Sequence, residues 1–152
     1  ALPDYIRVAT SLLQLATAAL IRLNPPVVAA VQGFAAGGGG MGLVCSADFV
    51  VAAESAKFLA GATRVAMVPD AGVSVTLTQL VGLRRAMEIL MLNPTISAAE
   101  AKEMGLITRT VADARLMDEA WTLARQLAAG APAALATQCG LARTLNHLKL
   151  CT

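Results

Sequence analysis

Four consecutive glycines, Gly37 to Gly40, form the pattern of this 152-residue chain that most directly suggests chemistry. They follow the apolar, strand-like residues 27–31 and precede a small-residue run that begins at Met41. Because glycine has no Cβ, its N–H group can approach a ligand closely, and it adopts positive φ at little cost. At a helix start, unpaired N–H groups and the positive end of the dipole favour a negatively charged oxygen. The pattern therefore predicts an oxyanion hole or a phosphate cradle.

The phosphate alternatives fit the surrounding residues poorly. A P-loop requires Lys followed by Ser or Thr after the last glycine, whereas Met41 and Gly42 stand there. Gly37, Gly39 and Gly42 formally satisfy a dinucleotide fingerprint, but any run of glycines does. No acidic residue ends a clear second parallel strand at the required distance. The remaining alternative is a close packing turn between a strand and a helix, without chemistry.

Composition limits the classes of protein to consider. Hydrophobic residues make up 57% of the chain and charged residues 14%, with only 3% aromatic residues. This predicts one domain with a core of small and aliphatic side chains, and less polar surface than a monomer usually has. We therefore expect self-association or a missing segment. The net charge of +2, without a lysine-rich run, predicts no nucleic-acid partner.

No segment is predicted to span or to be targeted to a membrane. The longest apolar region, roughly residues 27–53, is interrupted by Gln32, the glycines and Asp48, so a strand–turn–helix order explains it better. The first five residues lack the basic start of a signal peptide. We therefore expect a cytoplasmic protein that has no membrane partner.

Cysteine and histidine offer little for nucleophilic or metal chemistry. Cys45, Cys139 and Cys151 have neither zinc-ligand nor Cys-x-x-Cys spacing and are typical of reduced cytoplasmic thiols. The chain has a single histidine, His147, near the predicted end of the last helix. A histidine-based triad or a multi-histidine metal site is therefore excluded within this chain.

The order of predicted elements indicates the α/β class. A capping box at Ser97–Glu100 opens a short helix that Gly105 closes. Periodicity and breakers predict the other elements: helices at 4–23, 41–47, 73–81, 84–92, from 113 onward and from 132 onward, and strands or extended pieces at 27–31, 49–53, 56–59 and 106–111.

These segments together resemble the crotonase family, the enoyl-CoA hydratase/isomerase superfamily. The similarity is carried by five blocks in the right order and spacing: residues 26–40, 47–58, 68–72, 81–88 and 97–107. It implies a spiral of ββα units that is incomplete at the N-terminus, assembled as a homotrimer or hexamer. Residues 1–130 would be the later part of the core, and residues 131–152 the start of a C-terminal helical region.

The resemblance also implies a ligand and a backbone site. Family members bind an acyl-CoA thioester and stabilise its enolate oxygen with two backbone N–H groups. One donor would be Gly39, with Gly38 as the neighbouring choice, and the second is expected upstream of Ala1. Phe34, Ala36 and Ala62 would contribute to substrate binding. No metal or separate cofactor is implied, because coenzyme A is part of the substrate.

The proton-transfer groups depart from those of the family's hydratases. Hydratases use two glutamates, whose aligned positions are Gly42 and Ala62 here, and neither carries a proton-transfer group. Asp70 aligns with an aspartate that some isomerase branches use as a base. The resemblance therefore implies an isomerase/hydratase-like enzyme with Asp70 as the proton-transfer base.

Three alternatives to that role of Asp70 stay open at this point. A dehalogenase branch uses the equivalent aspartate as a nucleophile, and residues 84–88 and Asn93 also resemble that branch. A crotonase-fold protein can also be a non-catalytic acyl-CoA-binding or assembly module. Finally, Asp70 could simply be the N-cap of the helix that follows Gly72.

Overall fold

Two three-stranded sheets organise the part of the chain that the structure describes. The computed structural model describes residues 2–148, and describes side chains within residues 4–144. The helices there are α1 (Leu2–Arg22), α2 (Gly37–Ser46), α3 (Val73–Val81), α4 (Leu83–Leu92), α5 (Ala98–Glu103), α6 (Leu116–Ala128) and α7 (Pro132–Leu148). The strands are β1 (Val28–Val31), β2 (Phe34–Ala36), β3 (Phe49–Ala53), β4 (Lys57–Leu59), β5 (Ile96–Ser97) and β6 (Arg109–Val111).

The strand pairing repeats one unit twice. The first sheet has the order β1-β3-β6 with parallel neighbours, and the second has the order β2-β4-β5. In the second sheet β2 and β4 are parallel, whereas β4 and β5 are antiparallel. The consecutive strands β1 and β2 therefore pair with the consecutive strands β3 and β4, and α2 forms the crossover. This confirms the predicted α/β class and its ββα arrangement.

The core lies around β3 and the helices that cover it. Four of the five residues of β3 are buried, as expected for a strand of a parallel sheet that is covered on both faces. Phe58, Met41 and Leu77 are fully buried beside it. Because α2 consists largely of glycine and small residues, α3 and β2 can both approach its backbone closely.

The predicted starts of α2 and of the last strand were wrong. Helix α2 begins at Gly37 rather than at Met41, so the glycine run is the first turn of the helix. The strand predicted at 106–111 is only Arg109–Val111, because the N–H groups of Leu106 and Ile107 donate to the Ala101 carbonyl and close α5 instead. Strands β2 and β5 were not predicted. They have three and two residues, which are too few to show a periodic pattern.

A large apolar surface is exposed on this chain. Tyr5, Leu12 and Leu15 of α1 are 73%, 61% and 68% exposed, and they share one helical face. This agrees with the low charge content of the sequence. Among the described residues, no helix is both long enough and apolar enough to cross a bilayer.

Candidate active site at the glycine turn and the Asp70 loop

Two chain segments leave the second sheet at the same edge. Because β2 and β4 are parallel with Ala36 opposite Leu59, their carboxyl ends lie side by side. The glycine turn of α2 follows the first strand, and the loop of residues 60–72 follows the second. Ligands of α/β proteins commonly bind outside the carboxyl ends of parallel strands. The topology therefore places the two segments together at a position suited to a ligand.

The start of α2 presents uncapped N–H groups. Ala36 is the N-cap residue, with extended φ and ψ of −117° and 151°, and no side chain accepts a bond from the first turn. The N–H groups of Gly37, Gly38 and Gly39 have no acceptor within an α-helix, because no residue lies four positions earlier in it. This turn therefore offers N–H donors together with the positive end of the helix dipole.

The four glycines differ in whether the structure requires glycine at their position. Gly37 has a φ of 62°, which few other residues tolerate. A Cβ on Gly40 would lie 2.6 Å from the carbonyl carbon of Ala35, so Gly40 lets the helix pack on β2. A Cβ on Gly39, in contrast, would meet no atom within 4 Å. Gly39 therefore faces open space, as Gly37 does, but of these two only Gly39 has a φ that other residues readily adopt.

Asp70 lies against this turn. Its Oδ1 is 1.2 Å from the point that a Cβ of Gly38 would occupy, so only glycine at position 38 leaves room for the carboxylate. Asp70 is half-buried, and none of the described residues donates a hydrogen bond to its carboxylate. The site thus combines an unpaired carboxylate with the donors of the first helical turn.

Asp70 is not the cap of the following helix. The N-cap of α3 is Gly72, with a φ of 74°, and no side chain caps that helix. Only the backbone carbonyl of Asp70 takes part in the turn, accepting the Val73 N–H at 3.1 Å. The N-cap interpretation of Asp70 is therefore wrong.

The remaining predicted site residues lie in β2 and in the loop of residues 60–72. Phe34 and Ala36 are exposed on one face of β2, while Ala35 between them is buried. Ala62 is half-buried and begins a short 3-10 helix, Ala62–Val65, within the loop of residues 60–72. Of the predicted site residues, Asp70 is the one whose carboxylate packs against Gly38.

Gly42, one of the two positions aligned with hydratase glutamates, is sterically closed. A Cβ on Gly42 would lie 2.5 Å from the Cβ of Ala71. Ala71 is 2% exposed and has a left-handed φ of 51°, so the loop holds its methyl group firmly against α2. The present loop conformation therefore excludes any side chain at position 42.

A stability cycle tests this contact. We expect Gly42→Ala to lower the free energy of unfolding by about 1–3 kcal/mol, because the new methyl group overpacks the interface. Ala71→Gly removes both the opposing methyl group and the unfavourable φ, so the double variant should regain most of the loss. Chemical denaturation of the four proteins measures this, with Gly39→Ala as the control. Additive effects of the two changes would contradict the contact.

The two thiols that the structure describes, Cys45 and Cys139, are not candidate nucleophiles. Cys45 is buried, and this burial raises the pKa of its thiol to about 12, although a hydrogen bond with Thr76 acts in the opposite direction. Desolvation also raises the pKa of Cys139. The side chains of His147 and Cys151 lie outside the described residues. In the described part of the chain, no three His, Cys, Asp or Glu side chains are grouped for a metal ion.

Arg143 is a structural residue that the sequence did not reveal. Its Nε donates to Asp48 Oδ1 at 2.9 Å, and a second nitrogen, Nη1, donates to the Ile21 carbonyl at 2.9 Å. Asp48 Oδ2 also accepts the Val27 N–H at 2.7 Å. The arginine therefore ties α7 to the end of α1 and the start of β1. Nothing in the sequence pairs two residues that lie 95 positions apart.

The fold and this site agree with one protein family. The chain belongs to the enoyl-CoA hydratase/isomerase family, whose family model matches residues 7–146. The crotonase fold implied by the sequence is thereby confirmed. Crystal structures of enoyl-CoA hydratases from Bacillus anthracis and Polaromonas sp. JS666 superpose with TM-scores of 0.86 and 0.85, at 35% and 34% identity. The matched regions cover 90% and 91% of this chain, and 53% and 54% of theirs.

Curated relatives carry a more specific name. Carnitinyl-CoA dehydratase of Escherichia coli K12 is 36% identical over 129 residues, which is 85% of this chain and 49% of that enzyme. The enzyme of the same name from Salmonella paratyphi A is 41% identical over 114 residues, which is 75% of this chain and 43% of that enzyme. The chain thus spans about half the length of the curated relatives it matches.

Proposed function

We propose that this protein acts on an acyl-CoA thioester as an enoyl-CoA isomerase/hydratase-like enzyme. In this proposal the N–H of Gly39, or of its neighbour Gly38, stabilises the thioester enolate oxygen, and Asp70 is the proton-transfer base. The observation that carries the proposal is the position of the Asp70 carboxylate, which lies unpaired against Gly38 at the uncapped start of α2.

The chemistry follows from placing a base beside preorganised donors. When a 3-enoyl-CoA loses a C2 proton to Asp70, the thioester oxygen gains negative charge, and N–H donors aimed at it lower the barrier. The protonated Asp70 then returns the proton at C4, which gives the conjugated 2-enoyl-CoA. One carboxylate is sufficient for this reaction. It needs no metal or separate cofactor, because coenzyme A enters as part of the substrate.

The named relatives favour removal of water as a second candidate reaction. A dehydratase that forms an enolate also begins by removing the α-proton, and the protonated Asp70 could then assist departure of a β-hydroxyl group. Hydration by the family's two-glutamate route is less well supported, because Gly42 and Ala62 stand at the two glutamate positions. Position 42 also has no room for a side chain.

An assay in D2O tests the proposed function. We expect the protein to convert 3-hexenoyl-CoA to the conjugated isomer, with deuterium entering at C2 or C4. A 3-hydroxyacyl-CoA tests dehydration, and halide release from 4-chlorobenzoyl-CoA tests aspartyl dehalogenation. Binding of acyl-CoA with neither turnover nor α-proton exchange would favour the non-catalytic binding or assembly module. Absence of binding would contradict the proposal altogether.

The assembly and location of the protein remain proposals. The exposed apolar face of α1 supports burial against other protein surface, as in the expected homotrimer or hexamer. A cytoplasmic location, and the lack of nucleic-acid and membrane partners, rest on composition and on the family resemblance.

A further inference from the structure

The loop of residues 60–72, which carries Asp70, is held in place by a residue to which the proposed function gives no role. This residue is Asn93, the C-cap of α4, with φ and ψ of 52° and 51°. Asparagine is one of the few residues that tolerate this left-handed conformation at a helix end. Asn93 is only 3% exposed, so its polar amide group must find partners within the protein.

The amide of Asn93 binds the beginning of the loop. Its Oδ1 accepts the Gly61 N–H at 2.6 Å, and its Nδ2 donates to Thr63 Oγ1 at 2.6 Å. The Thr63 hydroxyl in turn donates to the Leu90 carbonyl of α4 at 3.2 Å. Arg64 donates to the backbone carbonyl of Asn93 at 2.5 Å. One buried residue therefore bonds to three of the four residues from Gly61 to Arg64.

The bound segment is a closed turn. The Arg64 N–H donates to the Gly61 carbonyl at 3.1 Å, and the Met67 N–H donates to the Ala62 carbonyl at 3.0 Å. Left-handed residues stand near both ends, at Gly61 and Ala66. Since the turn is closed by its own backbone bonds, its hydrogen bonds to α4 and its C-cap are those of Asn93, Thr63 and Arg64.

This turn, residues 61–67, borders the candidate site. It starts two residues after Leu59, the residue opposite Ala36 at the carboxyl end of β2, and continues through Val68 and Pro69 to Asp70. Its apolar members Val65 and Met67 are 67% and 43% exposed, and Val68 beside it is 80% exposed. Exposed apolar side chains thus lie along the chain between the anchored residues Gly61 and Thr63 and the proposed base.

We propose that Asn93 is a positioning residue that fixes the 61–67 turn as one wall of the acyl-binding region and thereby determines which acyl chains bind. The proposal rests on the proposed function for its substrate class, but its structural part can be tested without turnover. Asn93 acts through Gly61 and Thr63, and it does not touch the reacting atoms.

Amide hydrogen exchange of the Asn93→Gly variant tests the positioning. Glycine keeps the left-handed end of α4 unstrained but removes both side-chain bonds to the turn. We expect exchange at Gly61 and Met67 to accelerate at least about tenfold while exchange at Val51 in the core changes much less. The control is Thr108→Val, which deletes the hydroxyl that accepts the Val50 N–H in the other sheet. It should leave the turn unchanged.

A second pair of variants separates positioning from general stability. Thr63→Val keeps the side-chain shape but removes the partner of Asn93 Nδ2, whereas Thr63→Ser keeps the hydroxyl. We expect Thr63→Val and Asn93→Gly to raise KM for 3-decenoyl-CoA several-fold more than for 3-butenoyl-CoA, with little change in kcat. Thr63→Ser should resemble the wild-type protein.

The outcomes distinguish this proposal from the proposed function. Unchanged exchange at Gly61 in Asn93→Gly, or equal acceleration at Gly61 and Val51, would overturn the positioning role whether or not the protein is an enzyme. Equal changes of KM for the short and long substrates would overturn the specificity role. If no acyl-CoA is turned over by the wild-type protein, the proposed function fails, and the exchange experiment still decides whether Asn93 fixes the turn.

Discussion

Replacing Asp70 with asparagine should lower turnover by about 10²–10⁴-fold while acyl-CoA affinity changes little. The asparagine side chain has the same shape, so it can occupy the space above Gly38 that the carboxylate fills. It cannot accept the substrate proton. Steady-state kinetics and titration calorimetry with an acyl-CoA measure the two effects separately. Asp118→Asn, at an exposed carboxylate of α6, is the matched control and should change neither.

Oxygen labelling of the wild-type protein separates the two catalytic hypotheses that the Asp70→Asn variant alone does not distinguish. An aspartyl nucleophile would likewise lose turnover, but only a nucleophile would incorporate oxygen from labelled water into the Asp70 carboxylate during repeated turnovers. Mass spectrometry of the peptide that contains Asp70 detects that label. Unchanged turnover in the asparagine variant would contradict both catalytic roles and leave the acyl-CoA-binding module as the better account.

Replacing Gly39 with proline should reduce kcat by about 10²–10³-fold, because proline has no N–H to donate to the enolate oxygen. Gly39 is the third residue of α2, where the N–H has no acceptor within the helix, so its loss breaks no helical bond. A Cβ at position 39 would meet no atom within 4 Å, so the part of the ring next to Cα has space. Kinetics on the variant, with thermal unfolding to verify the fold, measures the loss.

Gly39→Ala is the matched control for the proline variant. It adds a methyl group in the same direction but keeps the N–H, so it should retain most of the turnover. Equal losses in the alanine and proline variants would show that bulk rather than the missing donor is responsible. Gly38→Ala is unsuitable as a control, because its Cβ would displace the Asp70 carboxylate.

The sequence predicted the parts of this fold that depend on local pattern. The buried strand β3, the capping box of α5 and helix α3 appear where periodicity and turn chemistry placed them. In the capping box, Glu100 also accepts the Ser97 N–H at 2.8 Å. Such features are set by residues a few positions apart, so one sequence suffices to find them.

The candidate site was only partly accessible to the same reasoning. The glycine run indicated a backbone site, but the distinct requirements at Gly38 and Gly40 depend on Asp70 and Ala35, which meet them only through tertiary packing. Pattern alone also left Asp70 open as a helix cap, although Gly72 occupies that place. The role of Asn93 was equally hidden, because its partners lie about 30 residues earlier in the chain.

The contact between Gly42 and Ala71 imposes an order on any evolutionary or engineered route from this chain to a two-glutamate hydratase. A glutamate introduced first at position 42 would collide with the Ala71 methyl group and destabilise the protein before any activity could be gained. A permissive change at Ala71 must therefore come first, and the glutamate at position 42 and a second one at Ala62 can follow. Glutamate at position 42 alone would destabilise the protein. The same substitution becomes possible once Ala71 has been replaced by a residue without the opposing methyl group.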